Sequence, residues 1–122
     1  MGYRSQVTLV VEKPLVNSLL TLFATNPKVR ELLTCDNPIE TNGNGDMLFQ
    51  IDWIKWYEDF PEVQAIEDWM VDHDDNDREQ SYSFHRLGEE FGDHDRRGYS
   101  QAWEVYPSQK LSITENPYHG KS

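Results

Sequence analysis

The 122-residue chain is expected to fold as an α+β domain, with a mainly antiparallel sheet of four to five strands and two helices packed on one of its faces. Three observations predict this. Stretches of alternating or β-branched apolar residues are interspersed with stretches of helical spacing. Glycine, asparagine and proline fall between the stretches, where turns and caps need them. The aromatic set is large, four Trp, six Tyr and five Phe, and it can build a core although only 37% of residues are apolar, because each ring buries much area.

The first strand is RSQVTLVVEK, Arg4 to Lys13, with Val7, Leu9 and Val11 on one face and Val10 on the other. Pro14 ends it and suits the first turn of a helix. Leu15, Leu19, Leu22 and Phe23 follow at helical spacing, and Asn26-Pro27 reads as a fresh start for Val29, Leu32 and Leu33. A helical region from Pro14 to Thr34, broken near Asn26, is therefore expected. Asn42-Gly43 and Asn44-Gly45 both favour positive φ, predicting a hairpin with arms Ile39 to Thr41 and Met47 onward. In MLFQIDWIKWY, alternation assigns Phe49, Ile51 and Trp53 to one face and Leu48, Gln50, Asp52, Ile54 and Trp56 to the other.

EDFPEVQAIEDWMVDHDD is an amphipathic helix, with Asp59 as N-cap, Pro61 in the first turn, and Val63, Ile66, Trp69 and Met70 facing inward. SYSFHRL, Ser81 to Leu87, alternates as a strand; Gly98 to Pro107 supplies another, and KLSIT a short edge strand. The order strand, helix, weak strand, strand, helix, strand, strand makes a ferredoxin-like (split βαβ) layout the first topology to test. Residues 1–115 form a single domain in this reading, and residues 116–122 a flexible tail.

Acidic residues outnumber basic ones by 22 to 11, a formal charge of −11, and between Glu58 and Asp95 the only cations are Arg78 and Arg86. Direct binding to nucleic acid or to an anionic membrane needs clustered cations and is disfavoured. An acidic face suits a basic partner, and it also serves simply to keep a small protein dissolved. The single cysteine, Cys35, excludes an internal disulfide. No apolar stretch is long enough to cross a bilayer, and the expected compartment is a reducing cytoplasm.

The run RLGEEFGDHDRRG, Arg86 to Gly98, concentrates glycines and charges. As a calcium loop starting at Asp93 it has Gly98 at the sixth position and Glu104 at the twelfth, but Arg97 replaces an oxygen ligand at the fifth. A start at Asp72 fails at the glycine position, which Asp77 occupies. As a phosphate cradle it lacks a GxxxxGK[ST] pattern. The run is therefore read as a glycine-bounded connection between two strands that presents its acids to water. A metal- or small-ligand-binding use of Gly88 to Gly98 is the alternative. His73, His85, His94 and His119 are scattered along the chain and Cys35 has no His partner in a shared motif, so the reading leans away from an enzyme and assigns no cofactor.

MGYRS, WIKWYEDFPEVQAIEDW and FHRLGEEFGD together resemble a family of small uncharacterised proteins of tailed bacteriophages and prophages, over Met1 to about Asp95. The resemblance implies a phage origin and action in the host cytoplasm, and it carries no catalytic residue. Combined with the charge, it leads to an accessory protein that binds a basic or nucleic-acid-binding host protein, with nucleic-acid mimicry as one means of inhibiting it. The residues expected to meet the partner are Trp56, Tyr57, Asp72, Asp74, Asp75, Asp77, Glu89, Glu90, Asp93 and Asp95. Self-association through exposed aromatics is a further expectation.

Overall fold

In the computed structural model, residues 3–73, 82–90, 92–98, 100, 102–106 and 112–115 are described. The elements are β1 (Ser5–Val11), α1 (Lys13–Thr25), α2 (Pro27–Leu33), β2 (Glu40–Thr41), β3 (Met47–Ile54), α3 (Pro61–His73), β4 (Tyr82–Gly88), β5 (His94–Gly98), β6 (Trp103–Tyr106) and β7 (Ser112–Glu115). Five strands form one antiparallel sheet in the order β2-β3-β1-β4-β5, and β6 and β7 form a separate two-stranded sheet. The connections β1–α1–α2–β2 and β3–α3–β4 interleave, each passing over one strand of the other unit.

The sheet has two unlike faces. On one, Val7, Leu9 and Val11 of β1, Phe49 and Ile51 of β3 and Phe84 of β4 meet Leu19, Phe23, Val29 and Leu33 from α1 and α2 and Ile66, Trp69 and Met70 from α3. Phe23 meets Phe49 edge-on with ring centroids 5.9 Å apart, and Trp69 meets Tyr82 at 5.8 Å. On the other face Val10 and Leu48 are covered by Ala102, Trp103 and Ile113. The strands expected at Gly98 to Pro107 and in KLSIT thus lie over the sheet as a hairpin and do not extend it.

Three helices, not two, cover the first face, because the helical region breaks at Asn26, whose φ of −142° is not helical. Pro27 resumes the helix at its first turn. Helix α1 has no capping side chain of its own; the Lys13 amide donates to Asp46 Oδ1 at 2.8 Å. Asp46 is fully buried in the β2–β3 turn, where its Oδ2 accepts from Asn42 Nδ2 at 2.9 Å. Asn42 Oδ1 in turn accepts the Asn44 and Asp46 amides at 3.0 and 3.1 Å, so the asparagines shape the turn through side-chain bonds. Only Gly45 there has positive φ, at 90°.

Alternation in β3 is interrupted. Val7 pairs with Ile51 but Ser5 pairs with Ile54, so β3 carries one extra residue across this interval, a β-bulge. Asp36 Oδ2 accepts the amides of Asp52 and Trp53 at 3.0 and 3.3 Å, satisfying backbone groups the bulge displaces. The extra residue inverts facing beyond it. Ile54 packs on the main core with Phe49 and Ile51, and Trp53, expected to share their face, is 53% exposed.

The run read as a connection contains a strand of its own. β4 ends at Gly88 and β5 runs back from His94, with the Gly88 amide donating to the Asp93 carbonyl at 2.8 Å. β5 is wholly polar apart from Gly98 and lies at the sheet edge, a placement that tolerates charge on both faces. The C-terminal residues 116–122, expected as a flexible tail, lie outside the described residues.

Candidate functional site

After β3 the chain turns back across the sheet, with the Phe60 amide donating to the Tyr57 carbonyl at 3.0 Å before α3 begins. This turn and the β4–β5 hairpin face each other across a cleft of about 660 Å³. Trp56 and Tyr57 form one wall, Phe84 and Arg86 the floor, and Arg96 and Arg97 part of the other wall. Trp56 lies against Phe84 with centroids 5.6 Å apart and its indole Nε1 donates to Glu67 at 3.4 Å. Tyr57 lies against Phe60 at 5.4 Å. Both rings of the wall are half-buried and keep a face toward the cleft.

Arg86 organises the floor. Its side chain is only 14% exposed, and its Nη2 lies 2.7 Å from both Asp93 Oδ1 and Asp95 Oδ2. Nε donates to Asp95 at 2.8 Å and Nη1 to Ser5 Oγ at 2.9 Å. Tyr3 donates its hydroxyl to Asp93 and accepts the Glu90 amide at 2.9 Å, tying the chain's start to the hairpin tip. The Asp93 carboxyl is held below its usual range by the Arg86 hydrogen bond, with the Tyr3 hydroxyl adding to it. Desolvation works against the charge on Arg86, but its bonds to Asp93 and Asp95 outweigh that and hold the guanidinium above its ordinary value. A Cβ at Gly88 would overlap the Asp93 carboxylate and the Tyr3 hydroxyl, so a side chain there would displace the Tyr3–Asp93 contact.

The ten residues expected to meet a partner therefore divide. Trp56 and Tyr57 lie together in the cleft, although Trp56 stands in the turn and not on the strand. Asp93 and Asp95 line it too, and both pair with the single guanidinium of Arg86. Glu89 and Glu90 are exposed at the hairpin tip, and the Glu89 carboxylate accepts the Arg4 amide at 2.6 Å. Asp72 is exposed near the end of α3, while Asp74, Asp75 and Asp77 lie outside the described residues. Glu58 and Asp59 also line the cleft, and no hydrogen bond or ion pair engages their carboxylates among the described residues.

A calcium loop starting at Asp93 is incompatible with the extended strand found there, and a guanidinium already occupies the position between Asp93 and Asp95. Among the described residues no three His, Cys, Asp or Glu side chains gather to hold a metal. Ser18 and His73 do meet, Oγ to Nε2 at 3.0 Å, while His73 Nδ1 lies 2.8 Å from the Trp69 carbonyl. The carbonyl requires Nδ1 to carry the proton, so Ser18 donates to Nε2. Ser18 also accepts the Trp69 indole N–H at 3.0 Å, and the trio serves to satisfy a buried indole between α1 and α3. Cys35 is exposed, and desolvation followed by the Asp36 charge pushes its thiol up, the reverse of an activated nucleophile.

His85 and His94, read as scattered, are brought together by the hairpin, with His85 Nδ1 and His94 Nε2 3.2 Å apart. The signal was available: folding HRLGEEFGDHDRR back on itself about Glu90 sets the two histidines diagonally across a ladder. No family model, curated protein or solved structure matches the chain.

Proposed function

We propose that the chain is a non-enzymatic binding protein whose cleft receives a basic segment of a partner protein. The observation that supports this best is the meeting of two half-exposed aromatic rings, Trp56 and Tyr57, with the unengaged carboxylates of Glu58 and Asp59 in one concave site. An arginine side chain suits that combination, because its guanidinium stacks on an aromatic face and pairs with carboxylates at its edge. The charge of −11 favours encounter with a basic partner over long range. Partners that bind nucleic acid carry such segments, and acids placed where phosphates would lie would block them. In this reading the protein is a phage-encoded accessory factor acting on a host protein in the host cytoplasm, as the MGYRS, WIKWY and RLGEE resemblance implies.

A nona-arginine peptide titrated against the intact protein, followed by Trp fluorescence, tests the reading. Trp56→Ala and the pair Glu58→Lys with Asp59→Lys are each expected to weaken binding about tenfold or more, in line with loss of an interface anchor. Binding should also weaken as salt rises. Equal affinity in wild type and both variants would place any binding elsewhere and defeat the proposal.

A further inference from the structure

The geometry of the His85–His94 contact is unusual. Their ring planes differ by only 12°, yet the centroids are 5.4 Å apart, too far for face-to-face stacking at contact. With the facing nitrogens 3.2 Å apart, the centroid separation is nearly that distance plus both ring radii. The rings are therefore almost coplanar and meet nitrogen to nitrogen. A metal ion between them would sit at half of 3.2 Å from each nitrogen, well short of the roughly 2.0–2.1 Å of a zinc–imidazole bond. The arrangement is that of an N–H···N hydrogen bond, which needs one proton on the shared line and fails with two.

Burial decides which ring accepts. His85 is only 7% exposed on β4, with Thr8 of β1 directly across on one side and Arg96 of β5 on the other. Desolvation foremost, then the His94 and Arg96 charges, lowers its pKa to about 4. His94 on β5 is half-exposed, and its outer nitrogen, Nδ1, points away from the shared contact and makes no hydrogen bond among the described residues. Among the described residues the titratable or charged groups facing His85 are His94 and Arg96. β1 adds only the Thr8 hydroxyl, and β6–β7 adds the apolar Ala102, Trp103 and Ile113 over Val10 and Leu48.

We propose that His85 and His94 are a proton-counting latch that fastens edge strand β5 to the sheet, tolerating a proton on His94 and opening when His85 also takes one. β5 has a sheet neighbour on one side only, so its attachment rests on the β4 ladder and on side-chain ties across it. On the helix face those ties are Arg86 to Asp93 and Asp95, with Arg97 reaching Glu67 of α3 at 3.3 Å; on the opposite face the tie is the histidine pair. Once both facing nitrogens carry protons, two like charges meet head-on beside Arg96, and the hairpin separates there. Because β5 supplies a wall of the cleft, opening the latch dismantles the cleft while the β3-β1-β4 core stays closed.

Amide hydrogen exchange of the intact protein from pH 7 to pH 3, expressed as protection factors, reads the latch directly. The β5 amides are expected to lose at least tenfold in protection in one step centred near pH 4, with β1 and β3 unchanged. His85→Gln, which cannot take the second proton, should abolish the step. The milder His94→Ala, at a half-exposed position, removes the facing ring, so β5 protection should already be reduced at pH 7 and show no step near pH 4. Asp93→Asn should leave the step in place, since it alters only the other face. Full β5 protection down to pH 3, or a step at the same pH in wild type and His94→Ala, would overturn the latch.

Discussion

The two hairpins at opposite margins of the sheet solve the same problem with different chemistry. The β2–β3 turn gathers amide donors on one buried carboxylate: Asn42 and Asn44 donate to Asp46, which also accepts the Lys13 amide at the start of α1. The β4–β5 hairpin is held by ionisable groups, with Arg86, Asp93 and Asp95 on one face and two histidines on the other. Amide donors keep their protons across pH and leave that turn a single ionisable hub, whereas the β4–β5 hairpin sets five ionisable groups against one another. The difference separates a structural joint from a surface able to respond to its surroundings, and it is the responsive hairpin that borders the cleft.

Glycine substitutions should break the comparison most sharply. Gly98 has φ +68° and a Cβ there would overlap the backbone carbonyl of Tyr82, which cannot swing aside. Gly98→Ala is expected to cost about 3 kcal/mol, combining a left-handed penalty of roughly 1–2 with overpacking of similar size. Gly45 has φ +90°, but its Cβ would meet only the flexible Lys13 side chain at 3.4 Å. Gly45→Ala should therefore cost about 1 kcal/mol, and urea unfolding of the two variants measures the contrast. Equal losses would mean that the hairpins are not distinguished by packing at these glycines.

Acidification should follow in size. The folded pKa of His85, about 4, lies below the ordinary 6.5, so the unfolded chain takes up a proton that the native state refuses. Stability therefore falls as pH drops through that window, by about 3 kcal/mol once both forms are protonated. Asp93, whose folded pKa is lowered, acts in the same direction: its contribution is complete above the ordinary carboxylate range and is lost as pH falls through its folded value. Urea midpoints at successive pH values should decline between 6.5 and 4 in wild type and flatten in His85→Gln.

An effect smaller than that of Gly98→Ala or of acid tests the β2–β3 turn. Asp46→Ala removes the acceptor of the Lys13 amide and should cost about 1–2 kcal/mol, the usual range for losing an N-cap. The loss should appear as a reduced urea midpoint with an unchanged slope. A midpoint within error of wild type would show that the turn and α1 stand independently.

Much of the fold is legible in the sequence because burial writes itself as periodicity. Val7, Leu9 and Val11 announce β1, and Val63, Ile66 and Met70 announce the inner stripe of α3. β5 escapes because an edge strand needs no apolar face, and HDRRG has none. The bulge escapes because a single extra residue changes no local composition, yet it moves Trp53 from the core to the surface and Ile54 inward. At the cleft, Trp56 and Tyr57 were legible as aromatics at a strand's end. That Arg86 engages Asp93 and Asp95 in particular depends on the hairpin register, which sets Arg86 opposite Asp95.

Asp46 also bears on the order of folding events. The first turn of a helix leaves amides without partners, and a short helix is hard to nucleate alone. Helix α1 takes the partner for its Lys13 amide from a residue 33 positions onward, in a turn that exists only once β2 and β3 have paired. Helix nucleation and hairpin closure are thereby placed in one cooperative step. A chain built this way should reach its transition state with α1, the β2–β3 turn and the β1–β3 ladder forming together, and β5 joining afterward.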